Sequence, residues 1–275
     1  MTAGSAALRA ERHPLRTLVF QSYRKTGVAA WIARCLASVR DWAARQGWAY
    51  EFLGDEFFDV VPPWFQETVQ RARVPMSDLA RLEWARRFLQ REIERVIWVD
   101  ADVAVFSPES FRIDVEREFA FSREVWISGV DAGSFAGTER VNNAVCVFVR
   151  GNRFLEYYTY ACEQLARSAP AALTKISFGT RLLTVHHRLL NFPLLQDVAM
   201  LSPCMVNDLA TGSAALGEVY RRYLPSPVHA GNFCSSLRGQ RFAGMEMTDE
   251  VFEAALERMM ATRGGAINRF IEPRS

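Results

Sequence analysis

The chain has 275 residues, 49% of them apolar and 23% charged, proportions that fit an ordinary soluble globular protein with enough chain for one large α/β domain. A net charge of +2 leaves no electrostatic footprint for nucleic acid. The five cysteines are scattered, with no metal-binding spacing, and no run approaches the ~20 apolar residues of a membrane span.

The start of the chain lacks the roughly 7–15-residue apolar run of a signal peptide, so the expectation is a cytoplasmic protein with reduced thiols; peripheral membrane contact stays open. Residues 1–15, including His13, show no period and are expected to fray. Thr17-Leu18-Val19-Phe20 is a β-rich run, expected as the first strand, with a polar loop over 21–27 at its C-terminal end. Trp31, Cys35, Val39 and Trp42 then recur at helical spacing, widened by Ile32, Leu36 and Ala43. That pattern makes both tryptophans core residues. Residues 48–53 read as a second strand, so 17–53 is a βαβ unit of a parallel sheet.

Residues 55–75 read as a loop. Ser77 is the expected N-cap of a helix carrying Leu79, Leu82, Ala85, Leu89 and Ile93 on one side, and Asp78 suits its positive end. Asp78 and Arg81 are i,i+3 neighbours. They read either as an ion pair at the helix start or as residues at a binding rim.

Residues 95–106, Arg-Val-Ile-Trp-Val-Asp-Ala-Asp-Val-Ala-Val-Phe, form the centre of the pattern. Four apolar residues, 96–99, fit a strand buried on both faces. In an extended chain Asp100 and Asp102 would share one side at its C-terminal end. Two adjacent carboxylates repel unless something positive lies between them, and a divalent cation is the simplest such partner. Open α/β sheets bind ligands at this end of their strands. The rival reading is a solvated acidic loop.

Beyond the acidic pair, 119–127 is strand-like and 129–137 a flexible loop containing Asp131. Val141-Asn142-Asn143-Ala144-Val145 opens a strong strand reaching 149. Leu155, Tyr158, Cys162 and Leu165 give an amphipathic helix. Phe178-Gly179-Thr180 starts another helical stretch ending near 190. His186 and His187 are adjacent on it, so they cannot face one metal. Thr248-Asp249-Glu250 is an acidic helix start, and Gly264-Gly265 ends that helix before a loose tail. The C-terminal third is otherwise irregular.

In this order the motifs resemble the GT-A-fold glycosyltransferases. Arg95 to Val103 is similar to the glycogenin and galactosyltransferase-like group. Ser77-Asp78-Leu79-Ala80-Arg81 is similar to that group and to the mannosyltransferase group with the Asp-x-Asp sugar-binding region. Val141 to Val145 resembles the Asn-led strand that follows in both, Phe178-Gly179-Thr180 a Gly-containing acceptor-side turn, and Val228-His229-Ala230-Gly231-Asn232 the late His-containing segment. The likeness spans roughly residues 17–235.

The resemblance implies one GT-A-like domain, a Rossmann-like, mostly parallel sheet with flanking helices and an irregular C-terminal acceptor region. Residues 17–130 would hold the nucleotide-sugar and 131–260 the acceptor. It implies transfer of a hexose from a UDP- or GDP-sugar to a glycan, lipid or protein acceptor, with retention of configuration, assisted by Mn²⁺ or Mg²⁺. Asp100, Asp102 and His229 would be the metal set. Phe20, Gln21, Ser22, Asp78, Arg81, Asp100, Ala101 and Asp102 would hold the donor, and Asn142, Asn143, Asp131 and Gly179 the acceptor or sugar. No catalytic nucleophile or base can be nominated. Two rivals share the same motif: a haloacid-dehalogenase-type phosphatase with Asp100 as nucleophile, and a non-catalytic nucleotide- or glycan-binding protein of this fold.

Overall fold

The computed structural model describes residues 14–116, 118–131, 134–213, 215–242 and 244–270, the side chains of 130 and 131 excepted. His13, the first residues and the last five therefore lie outside the described residues. β1 (Thr17–Ser22) leads through α1 (Ala30–Arg45) to β2 (Ala49–Leu53), which pairs parallel with β1. The expected stripe is the buried face of α1: Trp31, Ile32, Cys35, Val39, Trp42 and Ala43. Trp42 keeps its indole satisfied by donating Nε1–H to the Phe111 carbonyl at 3.1 Å, which lets so large a side chain be wholly enclosed.

The expected loop over 55–75 holds structure of its own. A 3₁₀ turn covers Asp55–Val60, and α2 spans Pro63–Thr68. A proline at the first helical position costs nothing there, because its missing N–H has no acceptor within the helix. α3 runs Arg73–Leu89 and so starts before Ser77. Ser77 and Asp78 are therefore not its cap; they lie in its second turn. Pro75 is accommodated in the first turn for the same reason as in α2.

β3 (Arg95–Val99) is buried along its whole length. Val96 and Trp98 face the core under α3, and Ile97 and Val99 the core on the other side. β4 (Val103–Val105) follows. β5 (Phe119–Asp131) and β6 (Ser134–Val149) then form one long antiparallel hairpin. The expected flexible loop over 129–137 is thus mostly strand. Its small and polar residues, exposed or half-buried where described, fit a ribbon extending past the sheet, where no buried face demands apolar alternation.

The remainder is α4 (Phe154–Ser168), a wide π-type turn at Ser177–Arg181, α5 (Leu182–Leu190), β7 (Leu194–Leu195), β8 (Val198–Met200), α6 (Pro203–Ala210), α7 (Ala215–Arg221), β9 (Ala230–Asn232), a short hairpin of β10 (Arg241–Phe242) and β11 (Met245–Glu246), α8 (Asp249–Ala261) and α9 (Gly265–Asn268). The C-terminal third is regular where the sequence suggested irregularity, because its elements are too short to show a period.

The main sheet has the order β2-β1-β3-β6-β5-β7, and among these strands β6 alone is reversed. A second sheet, β4-β9-β8, lies beside it. α3 and α4 cover one face of the main sheet through Phe88, Leu155 and Tyr158. α1 covers the other through Val39 and Trp42. α8 folds back onto α1, where Trp31 and Phe252 stack at 4.6 Å. That return brings the last third of the chain beside the C-terminal end of β1.

Candidate active site

Parallel strands β1 and β3 end on the same side, and β6, running against them, begins there. Val99 pairs with Val145, so Asn142 and Asn143 reach past the end of β3, and the Asp100 N–H donates to the Ala144 carbonyl at 2.8 Å. Asp100 and Asp102 are not in extended chain. Val103 N–H bonds back to the Asp100 carbonyl at 3.1 Å, and this tight turn, rather than strand alternation, is what puts both carboxylates beside one cleft. The cleft has a volume of about 880 Å³.

One wall is a buried ion-pair network. The Arg81 guanidinium lies 3.2 Å from Asp100 Oδ1 and 3.3 Å from Asp78 Oδ1. It also donates to the Asn143 carbonyl at 2.6 Å and packs over the Trp98 ring. Trp98 Nε1–H donates to Asp100 Oδ1 at 2.7 Å, and Asn143 Nδ2 donates to Asp78 Oδ1 at 2.8 Å. Burial pushes the Asp100 carboxyl up to about 7; Arg81 opposes that rise and Asp102 adds to it. Burial also raises Asp78, against Arg81 and Asn143. Burial alone would lower Arg81, yet Asp100 and Asp78 hold it above its ordinary value. Asp78 and Arg81 are therefore not an exposed pair at a helix start; they support the floor of the cleft.

Asp102 is buried, and its Oδ2 accepts from the Ser235 N–H at 2.6 Å. One oxygen of each carboxylate is thus held by the protein, leaving the other of each for a ligand. Among the described residues no group of three or more His, Cys, Asp or Glu side chains converges as a metal site. Two carboxylates with substrate phosphates is nonetheless the usual protein share of a Mg²⁺ site, so the donor set fits an ion that arrives with its nucleotide.

The structure does not bring His229 to this pair. β9 pairs with β4 so that Val105 faces Ala230 and Val103 faces Asn232. Phe233 is then opposite Asp102, to whose carbonyl it donates, while the His229 carbonyl accepts from Phe106 and Ser107. His229 lies four residues, roughly 13 Å of strand, from the acidic turn. Its ring is half-buried, and burial lowers its pKa. Asn232, Cys234 and Ser235 line the cleft in its place.

The other expected residues divide. Ser22 and Ala101 line the cleft. Phe20 does not: it is fully buried, edge-on to Phe88 and Trp98. Gln21 is likewise buried, donating to the Asp100 carbonyl at 3.2 Å and accepting from Tyr50 Oη; it fixes the acidic turn from behind. Asn142 and Asn143 line the cleft, but their amides are engaged, Asn142 donating to Glu124 at 2.6 Å. Gly179 also lines it, and a Cβ there would stand 2.6 Å from Asn143 Oδ1, so a side chain at this position would force the buried Asn143 amide to shift. The Asp131 side chain lies outside the described residues. His186 and His187 belong to α5, away from the cleft; His186 meets Tyr157 and the Leu182 carbonyl, and His187 packs on Phe192.

Sequence reasoning missed several residues. Glu124 is a buried carboxylate under Asn142, raised by burial. Arg24, Arg73 and Lys175 line the cleft and form no ion pair among the described residues. Arg238 is there too, but is neutralised by Asp249 at 2.7 Å. The position of Arg24 just past β1 was the one available signal, since parallel strands open onto ligands at that end.

No protein-family model matches the sequence, and no curated protein matches it. Among solved structures it is similar to a glycosyltransferase involved in the glycosylation of the major capsid of PBCV-1 (TM-score 0.45, 10% identity, 80% of this chain and 94% of that one). It is also similar to mouse xyloside xylosyltransferase 1 in its apo form (0.43, 12%, 80% and 98%). A third is the glycosyltransferase GlyE of Streptococcus pneumoniae TIGR4 (0.39, 15%, 91% and 64%). These are likenesses of partial architecture at low identity, and none of them identifies the chain.

Proposed function

We propose that this protein is a metal-dependent glycosyltransferase of the GT-A type, moving a hexose from a UDP- or GDP-sugar to a glycan, lipid or protein acceptor. The observation that carries the reading is the acidic turn: Asp100 and Asp102 beside a cleft large enough for a nucleotide-sugar, braced by Arg81, with cations in its lining that form no ion pair among the described residues. Asp102 would hold Mn²⁺ or Mg²⁺ directly, and Asp100 with it or through water. When bound, the ion supplies a Lewis acid for charge developing on the departing diphosphate. Arg24, Arg73 and Lys175 contribute fixed positive charge to the same anion. Asn142, Asn143 and Gly179 shape the sugar and acceptor side, their amides held rigid by Glu124 and Asp78. We assign retention of configuration, with the acceptor proton passing to the leaving phosphate, a route that asks for no protein base.

The test is a panel of UDP- and GDP-hexoses with Mn²⁺, Mg²⁺ or chelator. One donor should raise the melting temperature by linkage and release nucleoside diphosphate only with metal. Phosphate release from simple phosphomonoesters, with no response to any nucleotide-sugar, would overturn the reading.

A further inference from the structure

Seven large apolar side chains are exposed among the described residues, and all but Phe135 fall between 157 and 190. α5 carries the densest group: Val185 is 50% exposed, Leu189 77% and Leu190 58%. Arg181, Val185, Arg188 and Leu189 follow helical spacing on its outer face, and Arg181 and Arg188 are exposed without an ion-pair partner among the described residues. Ile176, 42% exposed, and the equally unpaired Lys175 continue this surface to the cleft rim.

The charge pattern says what covers this face. No Asp or Glu occurs from 164 to 196, in a chain with 31 acids among 275 residues, whereas Arg167, Lys175, Arg181 and Arg188 all lie there. Exposed aliphatic side chains with unpaired arginines beside them suit an anionic lipid surface, which offers apolar and phosphate contacts at adjacent depths. The aliphatic groups enter the acyl boundary while the guanidinium groups meet phosphate. Beside α5 a groove of about 770 Å³, lined by Phe119, Phe154, Tyr157 and Leu190, with Arg153 and Glu118 also present, offers room for an acyl chain.

We propose that the outer face of α5, with Ile176, docks on an anionic phospholipid surface and so turns the cleft mouth towards the membrane. The docking stands on its own. Its consequence, that the acceptor is membrane-borne, rests on the transferase reading above.

Co-sedimentation with neutral vesicles and with vesicles of about 30 mol % anionic phospholipid tests the docking. Binding should favour the anionic vesicles and fall at high salt. Arg181→Ala with Arg188→Ala should weaken it about 25-fold, at roughly fivefold per arginine. Val185→Ser with Leu189→Ser should weaken it at least about tenfold. Both pairs lie on the surface, so melting temperature should hold, and donor hydrolysis in free solution should be unchanged. Absence of binding, equal binding to neutral vesicles, or double variants that bind like the parent would overturn the docking. Loss of donor hydrolysis in the parent protein would instead overturn the transferase reading.

Discussion

On the wall built from α3, β3 and β6, the polar groups are tied to the protein: Arg81 to Asp78, Asp100 and the Asn143 carbonyl, Asn143 to Asp78, Trp98 to Asp100. Around the same cleft, Arg24, Arg73 at the start of α3, and Lys175 meet no carboxylate among the described residues. The first wall is finished before any ligand arrives, and it holds the acidic turn in place. The second set carries positive charge that no carboxylate neutralises among the described residues, Arg24 resting over the Tyr23 ring and Arg73 over the Phe58 ring. This difference separates residues whose charge is satisfied within the fold from residues whose charge is not, and mutations can break the two sets apart.

The largest effect belongs where the two sets meet. Asp102→Ala should lower metal-dependent turnover by on the order of 10²–10³, while the melting temperature stays within a few degrees, because the lost partner is one backbone N–H. Next comes Arg81→Met. It strands Asp78 and Asp100 as buried, uncompensated acids, so urea unfolding should show a loss of about 3–5 kcal/mol. Arg81→Lys should not restore it, since one ammonium cannot span Asp78, Asp100 and the Asn143 carbonyl together. If Arg81→Met unfolds like the parent, the finished wall is not what holds the turn.

The buried strand ending in two carboxylates was legible in the sequence, but the tight turn that sets Asp100 and Asp102 beside the cleft was not, because strand alternation offered an equally simple way to put them on one side. The helix face of α1 was legible because Trp31, Cys35, Val39 and Trp42 repeat with the helical period. Ser77 misled because a Ser-Asp pair reads as a cap wherever it stands, and nothing local reveals that the helix started before it. His229 misled for a different reason. Whether it reaches Asp102 is decided by the β4–β9 register, a pairing between residues more than a hundred positions apart. Glu124 and the unpaired cations were invisible for the same reason: each takes its meaning from a neighbour distant in sequence.

Gly179→Ala should cost about 1–3 kcal/mol by overpacking against Asn143, and should impair turnover more than Ala substitutions at exposed sites of α5. A smaller effect separates burial as such from the chemistry of the cleft. Asp197 does not line the cleft, yet burial pushes its carboxyl up to about 6, against backbone N–H donors from Asp197 itself and Arg112. An acid whose folded pKa is raised favours the folded state while protonated. Its contribution is therefore intact below about pH 4, declines as pH rises to about 6, and is level above that. Asp197→Asn should remove this decline, gaining about 1–2 kcal/mol at neutral pH after discounting for partial exposure. Nucleotide affinity should not change. An Asp197→Asn protein with the parent's stability at every pH would show that the buried acid carries no such penalty.

The smallest expected effect is the most discriminating between the two sets. Arg73→Ala and Lys175→Ala each remove a cation that forms no ion pair among the described residues, so stability should move by less than about 0.5 kcal/mol for Lys175 and by no more than about 1 kcal/mol for Arg73, which rests over the Phe58 ring. If that charge serves a diphosphate, each should raise the Kd for the nucleoside diphosphate about three- to tenfold, and the penalty should shrink as salt rises, because charges near solvent are screened. The corresponding sugar or nucleoside without phosphate should bind all forms alike. A penalty that is the same for nucleoside and nucleoside diphosphate would mean these side chains act by shape, and the unpaired charge would then have no anion to serve.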